Sequence, residues 1–349
     1  MNGQTDQLGA RISVIVPTYN GERFLREALE SAFAQTLRPC EIIVVDDCSR
    51  DGTFELAQSI AKNSPIPMRV LRLPKNSGGP AQPINAGIAQ ARGELISVLD
   101  QDDVFAPDHL ASKTPVLASR PDVSVVVSWC GRCGDELGQP KQRERLQEAI
   151  LRGSLGCNGF RLASAQRMLS LNVRWGMLFV GYPAFVFRKS DWQRKGGVDE
   201  SLRIASDFDL LGWLLLQGDC AVIPQVGYYR REHDGNVCLR RADVYLEAAI
   251  VRIRLLFQSA ELRRDTRFIA DLRREMLKMA RAFEQGALYA HATQMYFLAH
   301  QLGRRRAKTA VSLAKLQWIR LYDWISGRAP VHSRYTSPTS TDLPQSRAA

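Results

Sequence analysis

No uncharged apolar run in this sequence approaches the roughly 18 residues a membrane-crossing helix needs, so no transmembrane span is predicted. The opening residues are polar and offer no apolar core for a secretory signal, which leads us to expect a cytoplasmic protein. The seven cysteines are scattered and odd in number, which fits a reducing compartment better than a disulfide framework. Cys130 and Cys133 form a single C-x-x-C, and the second pair that a structural zinc site needs is missing, so they read as incidental thiols. No G-x-G-x-x-G follows the first predicted strand and no G-x-x-x-x-G-K-[ST] occurs, so the dinucleotide and P-loop readings lose their main support. Acidic residues are the scarcer charge, 36 against 47 basic, a net +11. That surplus suits phosphorylated substrates or an anionic surface. Nucleic acid is disfavoured, because no recognised module is present and the basic residues concentrate near the carboxyl terminus.

An alternation of strand and helix fills the first hundred residues instead. Strand patterns over 11–16, 41–45, 68–73 and 94–99 are separated by helical patterns over 22–35, 54–62 and 80–91. Phe24, Leu25, Ala28, Leu29, Ala32 and Phe33 recur at helical spacing, whereas Ile42, Ile43, Val44 and Val45 lack the alternation of a half-exposed strand. Such β-α-β units give an α/β fold with an open, doubly wound, mainly parallel sheet. Ligands of such sheets bind beyond the carboxyl ends of the strands. Those ends carry Pro17-Thr18-Tyr19-Asn20, Asp46-Asp47, Asn76-Ser77-Gly78-Gly79 and Asp100-Gln101-Asp102-Asp103, so four polar clusters are predicted to share one rim.

In the last cluster, Leu95-Ile96-Ser97-Val98-Leu99 runs straight into three carboxylates within four positions. Three acids at one strand end raise each other's pKa values unless a cation sits among them. Hard divalent ions favour oxygen ligands and often bind through one or two carboxylates plus substrate phosphates. Alone, this D-x-D-D motif reads first as a solvated acidic turn. With three other polar strand ends beside it, it points to a metal–diphosphate site for Mn²⁺ or Mg²⁺.

Ser13-Val14-Ile15-Val16-Pro17-Thr18-Tyr19-Asn20 and Asp46-Asp47-Cys48-Ser49, then Asp51-Gly52-Thr53, resemble the opening of the family 2 glycosyltransferases, which are inverting enzymes of the GT-A fold. Asn76-Ser77-Gly78-Gly79-Pro80, Asn85-Ala86-Gly87, Ala91-Arg92-Gly93-Glu94 and Leu99-Asp100-Gln101-Asp102-Asp103 match later blocks in order, and the resemblance runs from about residue 12 to 236. It implies that Tyr19 stacks on the donor's base and Asp47 accepts a hydrogen bond from it, a pairing that suits uracil or thymine. A half-buried loop tyrosine and a helix-capping aspartate are the plainer alternatives. Pro17, Asn76, Gly78 and Gln101 are further candidate donor contacts. Asp102 is implied as the first metal ligand, Asp100 as a ribose or metal contact, and Asp103 as a support or second ligand. Many relatives carry an Arg where Ile84 stands here, and Lys75 or Arg92 are the candidates to replace its charge.

Further along, Ser206-Asp207-Phe208-Asp209-Leu210 resembles the family's E-D-x-D-L motif, with Ser206 in place of the usual Glu. The motif's first Asp, here Asp207, is implied as the general base that deprotonates the acceptor hydroxyl. The amino end of a helix stabilises such an anion, although a capping Asp would occupy the same place. Asp209 is implied to orient the helix or an acceptor hydroxyl. Tyr229-Arg230-Arg231-Glu232-His233 and Asn236 are similar to the family's Y-R-x-H-x-x-N block. His233 is thereby a candidate to close over the metal and diphosphate, and Arg230 or Arg231 to neutralise phosphate charge.

Between these blocks, helices are predicted over 107–118 and 188–192, strands over 123–127 and 182–187, and a polar excursion over 131–155 on the acceptor side. Residues 164–175 receive no assignment. The chain is expected to divide into a polar leader at 1–10, a catalytic domain at 11–238, a helical extension at 239–328 and a disordered tail at 329–349. In the extension, Leu246, Ile250, Ile253 and Phe257 share one helical face, and 308–325 is amphipathic and basic. That last segment is expected to touch an anionic membrane surface on its inner face, or to pack on the catalytic domain.

The expected function is transfer of a sugar from a UDP- or dTDP-type donor to a carbohydrate or lipid-linked acceptor in cell-surface polysaccharide or glycoconjugate synthesis. A nucleotidyltransferase acting on sugar phosphates would use similar acids but leaves the Asp207 block unexplained. A non-catalytic sugar-nucleotide-binding protein is the second alternative, raised by Ile84 and Ser206.

Overall fold

A computed structural model of the chain describes residues 11–133, 148, 150, 154–157, 159–175, 181–233, 241–285 and 295–300. Its centre is a ten-stranded sheet with the strand order 68–72, 41–46, 12–18, 95–98, 185–188, 123–132, 219–230, 160–163, 155–157, and the strand 104–105 pairs with 219–230 off that path. Strands β1 (Ile12–Thr18), β2 (Glu41–Asp46), β3 (Met68–Arg72) and β4 (Leu95–Val98) are mutually parallel where they pair. Every residue of β1, β2 and β4 is buried, as expected for strands covered on both faces, whereas the edge strand β3 is only half buried.

Three helices cover these strands: α1 (Leu25–Phe33), α2 (Thr53–Lys62) and α3 (Ala81–Gln90). In α1 the buried residues Leu25, Ala28, Leu29 and Ala32 form one stripe, as the spacing predicts. Helix α3 lies unusually near the sheet at Gly87, where a Cβ would come within 2.6 Å of Ile15 Cγ2, so a larger residue would push the helix away.

Beyond β4 the sheet becomes mixed. After the short β5 (Val104–Phe105) and α4 (His109–Ser119), the long β6 (Val123–Arg132) pairs with β9 (Phe185–Arg188), which runs antiparallel to both β4 and β6. β10 (Asp219–Arg230) lies parallel to β6 and antiparallel to β5 and β8 (Phe160–Ala163), and β7 (Leu155–Cys157) closes the edge. Because β9 is reversed, its amino end shares the rim formed by the carboxyl ends of β1, β2 and β4.

Residues 165–175, left unassigned from sequence, form helix α5 (Ala165–Trp175). The predicted excursion begins later than expected, because β6 continues through Gly131 to Arg132. Cysteines 40, 48, 130, 133, 157 and 220 are all free thiols. Helices α6 (Lys189–Lys195) and α7 (Ser206–Leu215) precede β10, and the extension supplies α8 (Arg241–Gln258), α9 (Ala260–Arg264) and α10 (Thr266–Gln285). Among the described residues no helix is long and apolar enough to cross a membrane. The leader, the basic segment 308–325 and the tail lie outside the described residues.

Candidate active site

On the donor side of the rim, Asp47 follows β2 and is held by the loop after β3. Its carboxylate accepts the Ser77 N–H at 2.9 and 3.0 Å, the Ser77 hydroxyl at 2.8 Å and the Asn76 amide at 2.9 Å. Burial raises its pKa above the ordinary carboxylate value, and the Ser77 bonds pull against that rise. Tyr19, at the end of β1, remains 38% exposed. Gln101 fixes its main chain from the next strand: Tyr19 N–H donates to Gln101 Oε1 at 2.8 Å, and Gln101 Nε2 donates to the Tyr19 carbonyl at 3.0 Å. Two non-glycine residues with positive φ, Asn20 at 49° and Cys48 at 60°, lie in the same pair of loops. Such backbone is uncommon and concentrates at functional sites.

The acid turn lies beside this group. Asp103 N–H closes the turn onto the Asp100 carbonyl at 3.1 Å, and Asp103 Oδ1 accepts the Arg231 N–H at 3.1 Å. His233 Nε2 stands 2.9 Å from Asp102 Oδ2, its ring 4.8 Å from that of Phe24 at the start of α1. Arg231 lies 5.0 Å over the same ring and pairs with Glu27 at 2.5 Å. Burial, and then repulsion from Asp102, raises Asp103 to about 7. Burial, followed by Asp103, Asp102 and Asp207, pushes Asp100 well above the ordinary value. The Arg230 charge opposes these rises at Asp100, Asp103 and Asp207, so one cation serves all three acids.

Asp207 faces this cluster from the first turn of α7. Its Oδ2 accepts the Gly181 N–H at 3.1 Å and its Oδ1 the Phe208 N–H at 2.7 Å. Only 5% of it is exposed, and that burial raises its pKa to about 7 despite both bonds. The cap position belongs to Ala205, which makes no side-chain cap bond, so Asp207 is not the helix N-cap.

Residues 13–193, just over half of the chain, match the family model described as glycosyl transferase family 2. The chain belongs to that family. A relative in Rickettsia prowazekii, "Uncharacterized glycosyltransferase RP339", is 32% identical over 205 residues, 57% of each chain. The "Succinoglycan biosynthesis protein ExoO" of Rhizobium meliloti is 32% identical over 238 residues, 65% of this chain and 62% of that one. The chain thus spans about three fifths of the length of these two relatives. Among solved structures, Staphylococcus aureus TarS residues 1–349 in complex with UDP superposes with a TM-score of 0.62 at 22% identity, covering 91% of this chain and 89% of that one. The mannosyltransferase PcManGT of Pyrobaculum calidifontis, in complex with GDP-Man and Mn²⁺, gives 0.54 at 20% identity, covering 91% and 83%. At these identities the likeness is one of fold.

Within this family 2 chain, the predicted residues separate into three groups. Tyr19, Asp47, Asn76 and Gln101 share the donor rim, while Pro17 is paired inside the sheet opposite Val45. Gly78 adopts φ +83° with open space around it, which suits a loop that must approach a ligand closely. Asp100, Asp102, Asp103, Asp207, Arg230, Arg231 and His233 form the acidic half described above. Asp209 faces away, toward Lys195 at 2.7 Å and Arg254 at 3.5 Å, and so anchors α7. Ile84 is fully buried in the core and contributes packing. Arg92 cannot replace the missing arginine, because its N–H binds Glu41 at the start of β2, on the opposite rim. Lys75, just past β3, is on the donor rim.

Sequence reasoning missed Gly181 and Tyr182. The Tyr182 phenol is fully buried, and burial followed by the Asp207 charge keeps it well above its ordinary pKa and therefore neutral. Only the φ of +80° at Gly181 marks it as special, and no sequence pattern announces that.

Proposed function

We propose that the chain is an inverting, metal-dependent glycosyltransferase that moves a sugar from a nucleotide-diphosphate donor to an acceptor hydroxyl, with Asp207 as general base. The observation carrying this reading is the pairing, across Gly181, of a buried carboxyl at about 7 with a cluster of three acids. A carboxyl tuned to the working pH accepts a proton efficiently. As the acceptor oxygen attacks the anomeric carbon, its proton passes to Asp207. The bond from that carbon to the diphosphate breaks, and the nucleoside diphosphate leaves with the electron pair.

A hard divalent cation, Mn²⁺ or Mg²⁺, fits the acid turn. Burial and mutual repulsion leave Asp100 and Asp103 short of positive charge, and Asp102 already meets an imidazole. No group of three or more metal-ligating side chains stands assembled among the described residues. Asp102 first, and then Asp103 or His233, would hold the ion, and the donor's diphosphate would supply further oxygen ligands. When bound, such an ion stabilises the negative charge on the departing diphosphate. Arg230 supports the same charge from β10.

Tyr19 and Asp47 suit a uracil- or thymine-type base, Asp47 Oδ1 carrying fewer of the loop's bonds than Oδ2. The TarS complex with UDP supports that choice, and the name of the Rhizobium relative, a succinoglycan biosynthesis protein, supports a carbohydrate acceptor in polysaccharide synthesis. A thermal-shift panel of nucleotide sugars with Mn²⁺, followed by transfer assays, tests the reading. Stabilisation by one donor class and loss of transfer in Asp207→Asn are expected. Retained turnover in that variant overturns the role of Asp207.

A further inference from the structure

The base does not stand on a segment of the catalytic sheet alone. The turn leading into α7 presents the N–H groups of Arg203, Ile204 and Ala205, and all three donate to one carboxylate from the helical extension. Glu247 of α8 accepts them at 3.0, 2.8 and 2.8 Å and is only 7% exposed. Hydrogen bonds to an ionised acceptor are roughly twice as strong as neutral ones. Ala205, two positions before Asp207, has no side chain able to organise this turn, so a residue 42 positions away does it.

Two further contacts tie α8 to the same segment. Helix α8 approaches α7 at Gly212, where a Cβ would lie 2.8 Å from Leu255 Cδ1. Two turns of α8 beyond Glu247, and next to Leu255, Arg254 pairs with Asp199 at 2.5 Å and with Asp209 at 3.5 Å, on either side of Asp207 in sequence. Carboxylate, close helix contact and guanidinium therefore restrain the base-bearing turn along its whole length. The extension thus forms one wall of the catalytic apparatus.

We propose that Glu247 is a positioning residue for Asp207, so that the helical extension sets the geometry of proton transfer. The proposal rests on the reading of Asp207 as the base. Glu247→Gln turns an acceptor into an N–H₂ group that faces backbone N–H donors, which shifts the turn without creating a cavity. Misplacing a reacting group by about 1 Å costs on the order of a hundredfold in rate.

The test compares Glu247→Gln, Glu247→Asp, Asp207→Asn and Leu272→Ala in the full chain, Leu272 being a fully buried apolar core residue of α10 whose side chain takes no part in these hydrogen bonds. Transfer rate against pH, melting temperature and UDP affinity are measured for each. Glu247→Gln is expected to lower kcat on the order of a hundredfold, to move the acidic limb of its pH profile and to keep UDP affinity. Glu247→Asp, which retains the charge, should recover part of the rate. Leu272→Ala should lower the melting temperature while keeping kcat and its pH profile. Wild-type kcat and pH profile in Glu247→Gln, or the same kcat loss in Leu272→Ala at equal melting temperature, overturns the proposal. Should Glu247→Gln fail to fold, an unchanged kcat in Glu247→Asp overturns it equally. Retained turnover in Asp207→Asn instead overturns the underlying assignment of the base, whatever Glu247 does.

Discussion

The main-chain N–H of Gly181 donates to Asp207 Oδ2 at 3.1 Å, and a Cβ on the same glycine would lie 3.4 Å from Asp100 Oδ2. One residue therefore spaces the candidate base from the acid turn, and it does so with φ +80°, where side chains are strained. With ψ 164° as well, this is backbone essentially reserved for glycine, and Gly181→Ala is expected to cost about 1–3 kcal/mol of stability. It should also lower kcat by about tenfold or more through displacement of Asp207, with UDP affinity kept. Melting curves and transfer kinetics check both, and wild-type kcat would show that the spacing does not matter.

The raised pKa of Asp207 predicts opposite effects on rate and stability. A base must be ionised, so kcat should rise with pH through about 7 and level off above it. For stability, the folded carboxyl binds its proton more tightly than the unfolded one, whose value is near 3.8. Between those values the folded state holds more protons, so this group's contribution to stability falls as pH rises. Above about 7 the cost is complete, on the order of 4 kcal/mol. Asp207→Asn should therefore abolish transfer yet melt at a higher temperature than wild type at pH 8, with little difference near pH 4. Equal melting at both pH values would contradict the buried-carboxyl account.

The first four strands and their helices were legible because burial on both faces imposes unbroken apolar runs, and because amphipathic α1 repeats at helical spacing. The acid turn was legible because carboxylates at a strand end demand explanation. Other features carried no local signal. Gly181 looks like any glycine until its φ and its neighbours are known, and Glu247 looks like a surface residue of a helix until its oxygens meet the turn at Arg203–Ala205. Asp207 by itself reads first as a helix cap and becomes a candidate base only beside the other motifs, and the placement of Ala205 at the cap removes the capping reading. Asp209, expected to orient the helix or an acceptor hydroxyl, pairs with Lys195 and Arg254, a contact of the helix-orienting kind whose partners no local pattern could name.

His233 approaches the acid turn through Asp102 and rests on Phe24, so its contribution should appear in cation use rather than in chemistry. Chelation with EDTA is expected to abolish transfer and Mn²⁺ to restore it. His233→Ala should raise the Mn²⁺ concentration for half-activation by about tenfold, with kcat at saturating Mn²⁺ largely retained. An unchanged Mn²⁺ titration would remove His233 from the cation site.

Gln101 grips the Tyr19 main chain through both ends of its amide, at 2.8 and 3.0 Å. Tyr19 itself is 38% exposed. Gln101→Ala should leave the acid turn in place but free the Tyr19 loop, raising the donor KM by about tenfold, the cost of losing one or two hydrogen bonds. With Asp207 as the proposed base, away from this loop, kcat should change little. A fall in kcat at unchanged KM would mean that Gln101 serves the reacting centre instead.

Lys113 tests the fold apart from the site. It is fully buried on α4, its Nζ 3.0 Å from His109 Nδ1, while His109 lies 2.8 Å from the Gly227 carbonyl and 3.2 Å from Ser97 Oγ. Burial pushes the Lys113 ammonium well below its ordinary value of 10.5. Burial, and then Lys113 itself, likewise lowers His109. In the pH range between the folded value and 10.5 the unfolded lysine holds a proton that the folded one has lost. The unfolded state then binds more protons, so stability rises with pH across that window and the penalty is greatest toward its lower end. Lys113→Met keeps the apolar stem and removes the titrating group, so it should raise unfolding free energy at pH 7 and flatten its increase toward pH 10. Urea unfolding at pH 7, 8 and 9 measures both, and kcat serves as the control because the Lys113 amine bonds to His109 rather than to any candidate site residue. A Lys113→Met variant less stable than wild type at pH 7 would show that the bond to His109 outweighs the cost of burying the amine.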